Sequence, residues 1–265
     1  MLRVQPGDHI SAAFASTSAF TGTTLAFAEQ AVAARARLLI FPGGDLRDDL
    51  EAYRNVVGCR SRALLAAVHR GQVLVGDSRE VQWGPGRLDP AYLYEVYAAA
   101  TRQAVAAGFS GLWVSVDMTW AAAADPEALV AFEAGASALF TDRELTAVCQ
   151  YDTRVFDRRW VAAACQAHPA GPASPSPLRH RLQDDGRTLA FSGEADLANA
   201  GAFAAMLRRL RPGGTLDITG MTFLDARALA EIARTARENA GLRIRAGRTH
   251  LHLLDLIRDA GVRHE

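Results

Sequence analysis

Apolar positions along this chain switch repeatedly between two periods. Short continuous or alternating runs give way to a three-four spacing and back again. His9 to Ala15 reads as an apolar strand. Gly22 to Arg37 reads as a helix with Leu25, Ala28, Glu29 and Val32 at helical spacing. Arg37 to Pro42 is an apolar strand ending at Gly43-Gly44. Asp45 caps a predicted helix through Val57, and Ser61 to Arg70 gives another. Gln72 to Gly76 is a strand. Asp89 caps and Pro90 opens a long helix to Ala107, with Gly108 just past its end. Gly111 to Met118 is a buried strand, and Asp125-Pro126 starts a helix through Phe140. Leu145 to Tyr151 is a strand, and Asp157 to Ala167 a helix. Strands separated by helices of this length imply a mostly parallel sheet covered on both faces.

The pattern breaks at residues 169–177, where prolines recur and no large apolar residue occurs. Such a stretch continues neither a helix nor a central strand, and it reads as a semi-extended linker. It divides the chain into residues 1–168 and 178–265, both ordinary domain sizes. The second part alternates too. Leu178 to Leu182 and Thr188 to Ser192 are strands turned at Asp184-Asp185-Gly186. Asn199 to Leu210 is a helix, Gly214 to Ile218 a strand, Ala226 to Asn239 a helix and Leu242 to Ala246 a strand. His250 to Asp259 is a closing helix with one apolar face. The expected fold class is α/β in both parts. The first has a RecA/KaiC-like or Rossmann-like parallel sheet, and the second is smaller.

Composition narrows the function. Acidic and basic residues balance at 29 each, so no global field favours nucleic acid or an anionic membrane. All the basic residues are Arg. Without Lys there is no side-chain Schiff base and no P-loop lysine, which excludes two large classes of enzyme chemistry. Leu39 to Asp45 is a strand followed by glycines, but it lacks the rest of a phosphate cradle. The three cysteines (Cys59, Cys149, Cys165) have no zinc spacing and read as reduced thiols. The seven histidines are scattered. No metal site, no cofactor and no catalytic residue is expected. The polar start of the chain has no signal-peptide pattern and no apolar run is long enough to span a bilayer, so the expected location is the cytoplasm.

Two family resemblances sharpen this. Gly193-Glu194-Ala195-Asp196-Leu197, Leu216 to Asp225 and Ala228-Leu229 together resemble the STAS family of bacterial anti-sigma-factor antagonists. The resemblance implies docking on an anti-sigma factor or a related kinase-like protein through Asp196, Asp225, Ala226 and Arg227. Phosphorylation-switched members carry serines after the loop Asp. Here Ala226 and Arg227 follow Asp225, so that switch is absent.

The first part resembles the MEDS family, the sensory domain of DcmR-type regulators. The matches are Gly7-Asp8-His9-Ile10 with Phe14, Gly86 to Pro90, Val116 to Trp120, Phe132-Glu133-Ala134, Cys149 to Asp152 and His168-Pro169. The resemblance implies a sensor of small, hydrocarbon-like molecules on a fold distantly similar to RecA/KaiC cores. His9, Phe14, Asp117, Met118, Trp120, Glu133 and Tyr151 are the expected ligand-binding residues. Asp117, Met118, Trp120 and Tyr151 lie at strand ends, where ligands sit in parallel sheets, and they offer a mainly apolar lining with few polar anchors. Met118 and Trp120 equally suit a core, Asp117 a turn cap, His9 a structural role and Glu133 a surface. The expected function is a signalling protein in transcription regulation, with an unidentified small-molecule ligand, a protein partner and room for a homo-oligomer. An enzyme or ligand carrier that uses STAS for assembly is the alternative.

Overall fold

The computed structural model of the chain describes residues 4–82, 88–171, 178–183, 187–247, 250 and 263–264. In the first half the order is β1 (His9–Phe14), α1 (Thr17–Ala33), β2 (Arg37–Phe41), α2 (Leu50–Cys59), α3 (Arg62–His69), β3 (Val73–Val75), α4 (Ser78–Gln82), α5 (Pro90–Ala106), β4 (Leu112–Asp117), α6 (Pro126–Ala136), β5 (Leu145–Asp152) and α7 (Arg158–Gln166). The five strands form one parallel sheet in the order β1-β5-β4-β2-β3. The first strand therefore lies at an edge, whereas in the dinucleotide-binding order it is central.

Alternation along β4 and β5 sorts their side chains between two layers. Leu112, Val114 and Val116, with Leu145, Ala147, Cys149 and Tyr151, share a core with α5, α6 and α7. Trp113 and Val148 face the opposite layer, where Phe20, Phe27, Ala28 and Ala31 of α1 pack with Leu64 and Ala67 of α3. The expected sheet with helices on both faces is thus present. Each fully buried Leu or Phe contributes about 1.5–3 kcal/mol of transfer free energy, so these two cores hold the sheet between its helices.

Local chemistry sets several helix starts. Asp89, Asp125 and Asp157 each accept a hydrogen bond from a first-turn backbone N–H, at 3.1, 2.9 and 2.9 Å. Three boundaries differ from the sequence reading. Ser16, not Gly22, begins α1, because its hydroxyl takes the Ala19 N–H. Asp45 sits in a short 3₁₀ turn (Gly44–Arg47), and Asp49 caps α2 instead. The helix expected through Phe140 tightens to 3₁₀ from Ser137.

The second half contains β6 (Arg179–Gln183), β7 (Thr188–Ala195), α8 (Ala200–Leu207), β8 (Thr215–Leu224), α9 (Ala226–Glu238), β9 (Arg243–Arg245) and β10 (Arg263–His264). Its sheet order is β10-β9-β8-β7-β6, parallel except for the β6–β7 pair. β8 runs well past Ile218 because two register irregularities against β7 absorb extra residues. Residues 172–177 of the expected linker, the 184–186 turn, residues 83–87 and most of the expected closing helix lie outside the described residues.

Pro169 and Ala170 do not leave the first half. Ala170 bridges Ile10 in parallel fashion, with Ser11 N to Ala170 O at 3.0 Å and Ala170 N to His9 O at 3.3 Å. This covers part of the otherwise bare β1 edge. The two halves then meet directly. Ala134 of α6, Ala167 and Ala205 of α8 pack together. Arg179 pairs with Asp8 through two contacts of 2.8 and 3.1 Å. His180 Nε2 donates to the Ser137 carbonyl at 2.9 Å.

Candidate functional site

The sequence-predicted residues do not converge on one site. They fall around two spaces on the first sheet. One is an apolar cavity of about 40 Å³ between the sheet face and helices α5 and α6. Its floor is Val114, Val116, Ala147 and Cys149, and its roof includes Tyr97, Phe132 and Ala136. Met118 and Trp120 close one side, and Phe140 another. His9 and Glu133 also border it, although nearly all of its exposed lining is apolar. A water needs roughly 10–15 Å³ of such volume, so the cavity holds a molecule of only a few heavy atoms.

The second space is a cleft of about 250 Å³ at the carboxyl ends of the strands. Phe14 and Asp117 lie here with Gly43, Asp45, Asp152 and Arg154. Asp117 accepts the Thr119 N–H at 2.8 Å, and burial raises its pKa above the usual carboxylate value. Asp152 is held below its usual value by Arg154, whose guanidinium pairs with it at 2.6 Å. Gly43 is required where it stands: a Cβ there would overlap the Asp117 carboxylate and the Thr119 hydroxyl.

The polar cluster beside the cavity is the densest chemistry among the described residues. Glu133 is 1% exposed, and Tyr151 donates its hydroxyl to Glu133 Oε1 at 2.7 Å. The other carboxylate oxygen, Oε2, lies 3.4 Å from His9 Nε2 and 3.3 Å from His168 Nε2. Cys149 Sγ is 3.6 Å from His9 Nε2 and 3.8 Å from Glu133 Oε2. His9 stacks on Phe140, with ring centroids 4.4 Å apart and planes 12° apart. Burial drives this cluster. It lowers His9 to about 4 and pushes the Cys149 thiol and the Tyr151 hydroxyl well up. Burial also opposes ionisation of Glu133, but the facing imidazoles, His168 first, outweigh it and hold the carboxyl below its ordinary range.

Topology explains the convergence. His9 opens β1, and Cys149 and Tyr151 point from neighbouring β5 toward the same layer. α6 delivers Glu133 from above, and the turn after α7 returns His168 to the sheet. Tyr151 therefore stands behind Glu133 and does not line the cavity. Cys149 and His168 belonged to sequence motifs without a site role. Their strand parity and the returning turn are the features that place them with His9.

In the second half, Asp225 caps α9 through the Ala228 N–H at 2.7 Å. Ala226 and Arg227 follow it, exposed, on the first turn. Asp196 accepts the Ala198 N–H at 2.8 Å in the loop after β7. Leu197 and Phe223 stand about half exposed on these strand ends, at 53% and 49%.

Comparison with known proteins gives one family. The family described as MEDS (MEthanogen/methylotroph, DcmR Sensory domain) matches residues 8–169, more than half of the chain. No curated protein matches the sequence. Among solved structures, the chain is similar to a DUF1998 helicase MrfA bound to DNA and AMPPNP, at 12% identity and a TM-score of 0.32. That match covers 88% of this chain and 34% of the helicase chain, so the chain spans about a third of that protein. Among the described residues, no helix is long and apolar enough to cross a membrane.

Proposed function

Because the chain belongs to the MEDS family of sensory domains, we propose that its first half detects a small molecule in the cavity above β4 and β5. The second half, a STAS-like module, passes the result to a protein partner. The observation that carries this reading is the cavity itself. It is apolar on nearly every side and ends on Glu133, His9 and Cys149. Ordinary ligand pockets run to several hundred Å³. A space of about 40 Å³ selects one- to few-carbon molecules, such as small alcohols or halomethanes.

Transmission has a short route. Glu133 and Ala134 are neighbours on α6: the first faces the cavity, the second packs on Ala205 of α8. A ligand that shifts α6 changes its contact with the second half. It does so only to the extent that it binds two arrangements unequally. Exposed Leu197 and Phe223, beside Asp196, Asp225, Ala226 and Arg227, offer the partner an apolar patch with a charged border. The motif matches at Gly193 to Leu197 and Leu216 to Asp225 support the STAS reading and, with it, docking on an anti-sigma factor or a related kinase-like protein.

The test is native mass spectrometry of the protein purified from its host, before and after denaturation. The expected result is a released molecule of a few heavy atoms, absent from Trp120→Ala. A chain that arrives empty but with a protein attached would move the function to the second half alone. The cleft beside Asp117 favours one alternative, an enzyme or carrier working at the strand ends. Turnover of a metabolite mixture that disappears in Asp117→Asn would establish it.

A further inference from the structure

We propose that His9, Glu133, Cys149 and His168 bind one zinc ion. Their donor atoms all lie within 4.8 Å of one another, and all four residues are buried. Zinc takes tetrahedral donors at about 2.0–2.1 Å for nitrogen and oxygen and about 2.3 Å for sulfur. Those bond lengths put N/O donor pairs about 3.4 Å apart and pairs with sulfur about 3.6 Å apart. The two N–O separations here are 3.4 and 3.3 Å. The two sulfur separations are 3.6 and 3.8 Å. Four of the six donor separations, among residues from two strands, one helix and one turn, thus match a coordination shell, and the other two lie within 4.8 Å.

The hydrogen positions strengthen this. His168 Nδ1 is 2.7 Å from the Ala164 carbonyl oxygen, which only accepts, so Nδ1 carries the hydrogen. In a neutral ring, Nε2 then presents a lone pair. It faces Glu133 Oε2 at 3.3 Å, itself a lone-pair donor, and has no hydrogen-bond partner. Carboxylate and ring, enclosed in a dry site, need a positive charge between them, which a proton on Nε2 or a metal ion supplies. An Nδ1–H fixed on a backbone carbonyl with Nε2 pointing inward is also the usual arrangement of a metal-bound histidine. Tyr151 holds the far carboxylate oxygen and so orients Glu133. Two imidazoles, one carboxylate and one thiolate form a borderline set that suits zinc over magnesium or calcium. Coordination releases the Cys149 proton to solvent.

The site shares His9, Glu133 and Cys149 with the cavity of the proposed function but does not depend on that reading, since a chain can carry the metal and sense nothing. Metal content of the full chain, purified without metal-affinity steps, is measured by elemental mass spectrometry. A cobalt-exchanged sample is then examined by absorption. About one zinc per chain is expected. The cobalt sample should show a near-ultraviolet thiolate charge-transfer band that Cys149→Ser removes, along with a loss of affinity in His168→Gln. Losing a ligand should exceed the roughly 10–100-fold cost of second-shell changes. If a variant fails to fold, the charge-transfer band of the unmodified chain still reports thiolate ligation. A chain that carries no metal, and whose melting temperature ignores added zinc and cobalt, would overturn the proposal. So would equal binding by both variants, or a cobalt spectrum without the thiolate band.

Discussion

Tyr151 and Glu133 are joined by a 2.7 Å hydrogen bond in which a fully buried phenol serves a carboxylate that is itself almost fully enclosed. The bond satisfies Oε1 and leaves Oε2 to the two histidines. Tyr151→Phe keeps the ring and removes only the donor. A hydrogen bond to a charged group contributes about 1.5–3 kcal/mol, and urea denaturation of the variant should show a loss in that range. A loss below about 0.5 kcal/mol would mean that the carboxylate draws its stabilisation elsewhere.

Gly43 and Gly44 should respond differently to alanine. At Gly43 the new methyl meets the Asp117 carboxylate and the Thr119 hydroxyl. Overpacking of this kind costs about 1–3 kcal/mol and displaces Asp117 from the cleft. At Gly44 the methyl meets nothing within 4 Å, but φ is +54°. There the cost is the left-handed backbone, about 1–2 kcal/mol, without movement of Asp117. Denaturation gives the costs, and a crystal structure or the Asp117 carboxyl signal in NMR gives the displacement.

The strand and helix sequence was legible because period and caps agreed: Ser61, Asp89, Asp125 and Asp157 all cap as their spacing implies. Gly22 and Asp45 misled because a glycine or aspartate marks a boundary only when its neighbours cannot form one; Ser16 and Asp49 supplied better caps nearby. The site was harder to read. His9, Met118, Trp120 and Glu133 do share a cavity. Phe14 and Asp117 instead line the strand-end cleft. Which residues of β5 face Glu133 depends on strand parity, and the approach of His168 depends on the turn after α7. Neither follows from spacing along the chain.

His180 should make the protein acid-sensitive. Burial lowers its pKa from 6.5 to about 4, against the raising effects of its bond to the Ser137 carbonyl and of nearby Asp8. The unfolded chain therefore binds the proton first as pH falls. Stability is lost between about pH 6.5 and 4 and is flat, for this group, above 6.5. The shift corresponds to about 3 kcal/mol. Denaturation across that range should show the unmodified chain losing up to this much more than His180→Gln. Parallel curves would show that His180 does not contribute.

Filling the cavity should separate stability from sensing. Ala147 lies on its floor, on a central strand. Ala147→Val adds a β-branched side chain into empty space. The expected change is neutral to about 1 kcal/mol stabilising, as for other cavity-filling substitutions. Binding of small alcohols or halomethanes, followed by Trp120 fluorescence or calorimetry, should be lost. Retained binding would place the ligand in the strand-end cleft.

Removing the charge pair across the two halves should loosen them. Asp8 is nearly enclosed while Arg179 keeps about a third of its surface in water, so screening moderates the pair. Arg179→Ala should cost about 1 kcal/mol, and faster proteolytic cleavage near residues 172–177 should accompany it. A double-mutant cycle with Asp8→Ala isolates the coupling. A coupling of zero would leave the His180–Ser137 hydrogen bond and the apolar contact of Ala134, Ala167 and Ala205 to hold the halves together.

The path of Pro169 and Ala170 has a mechanical meaning. The chain between the halves is clasped to β1 by the two hydrogen bonds of Ala170 before it departs. Once the direct contacts between the halves are broken, tension from a partner pulling on the second half would load that clasp. The strand under load carries His9, and the residue two positions before the clasp is His168. A tug on the connection is thus delivered straight to both imidazoles, so the tether itself is a line of force into the buried cluster.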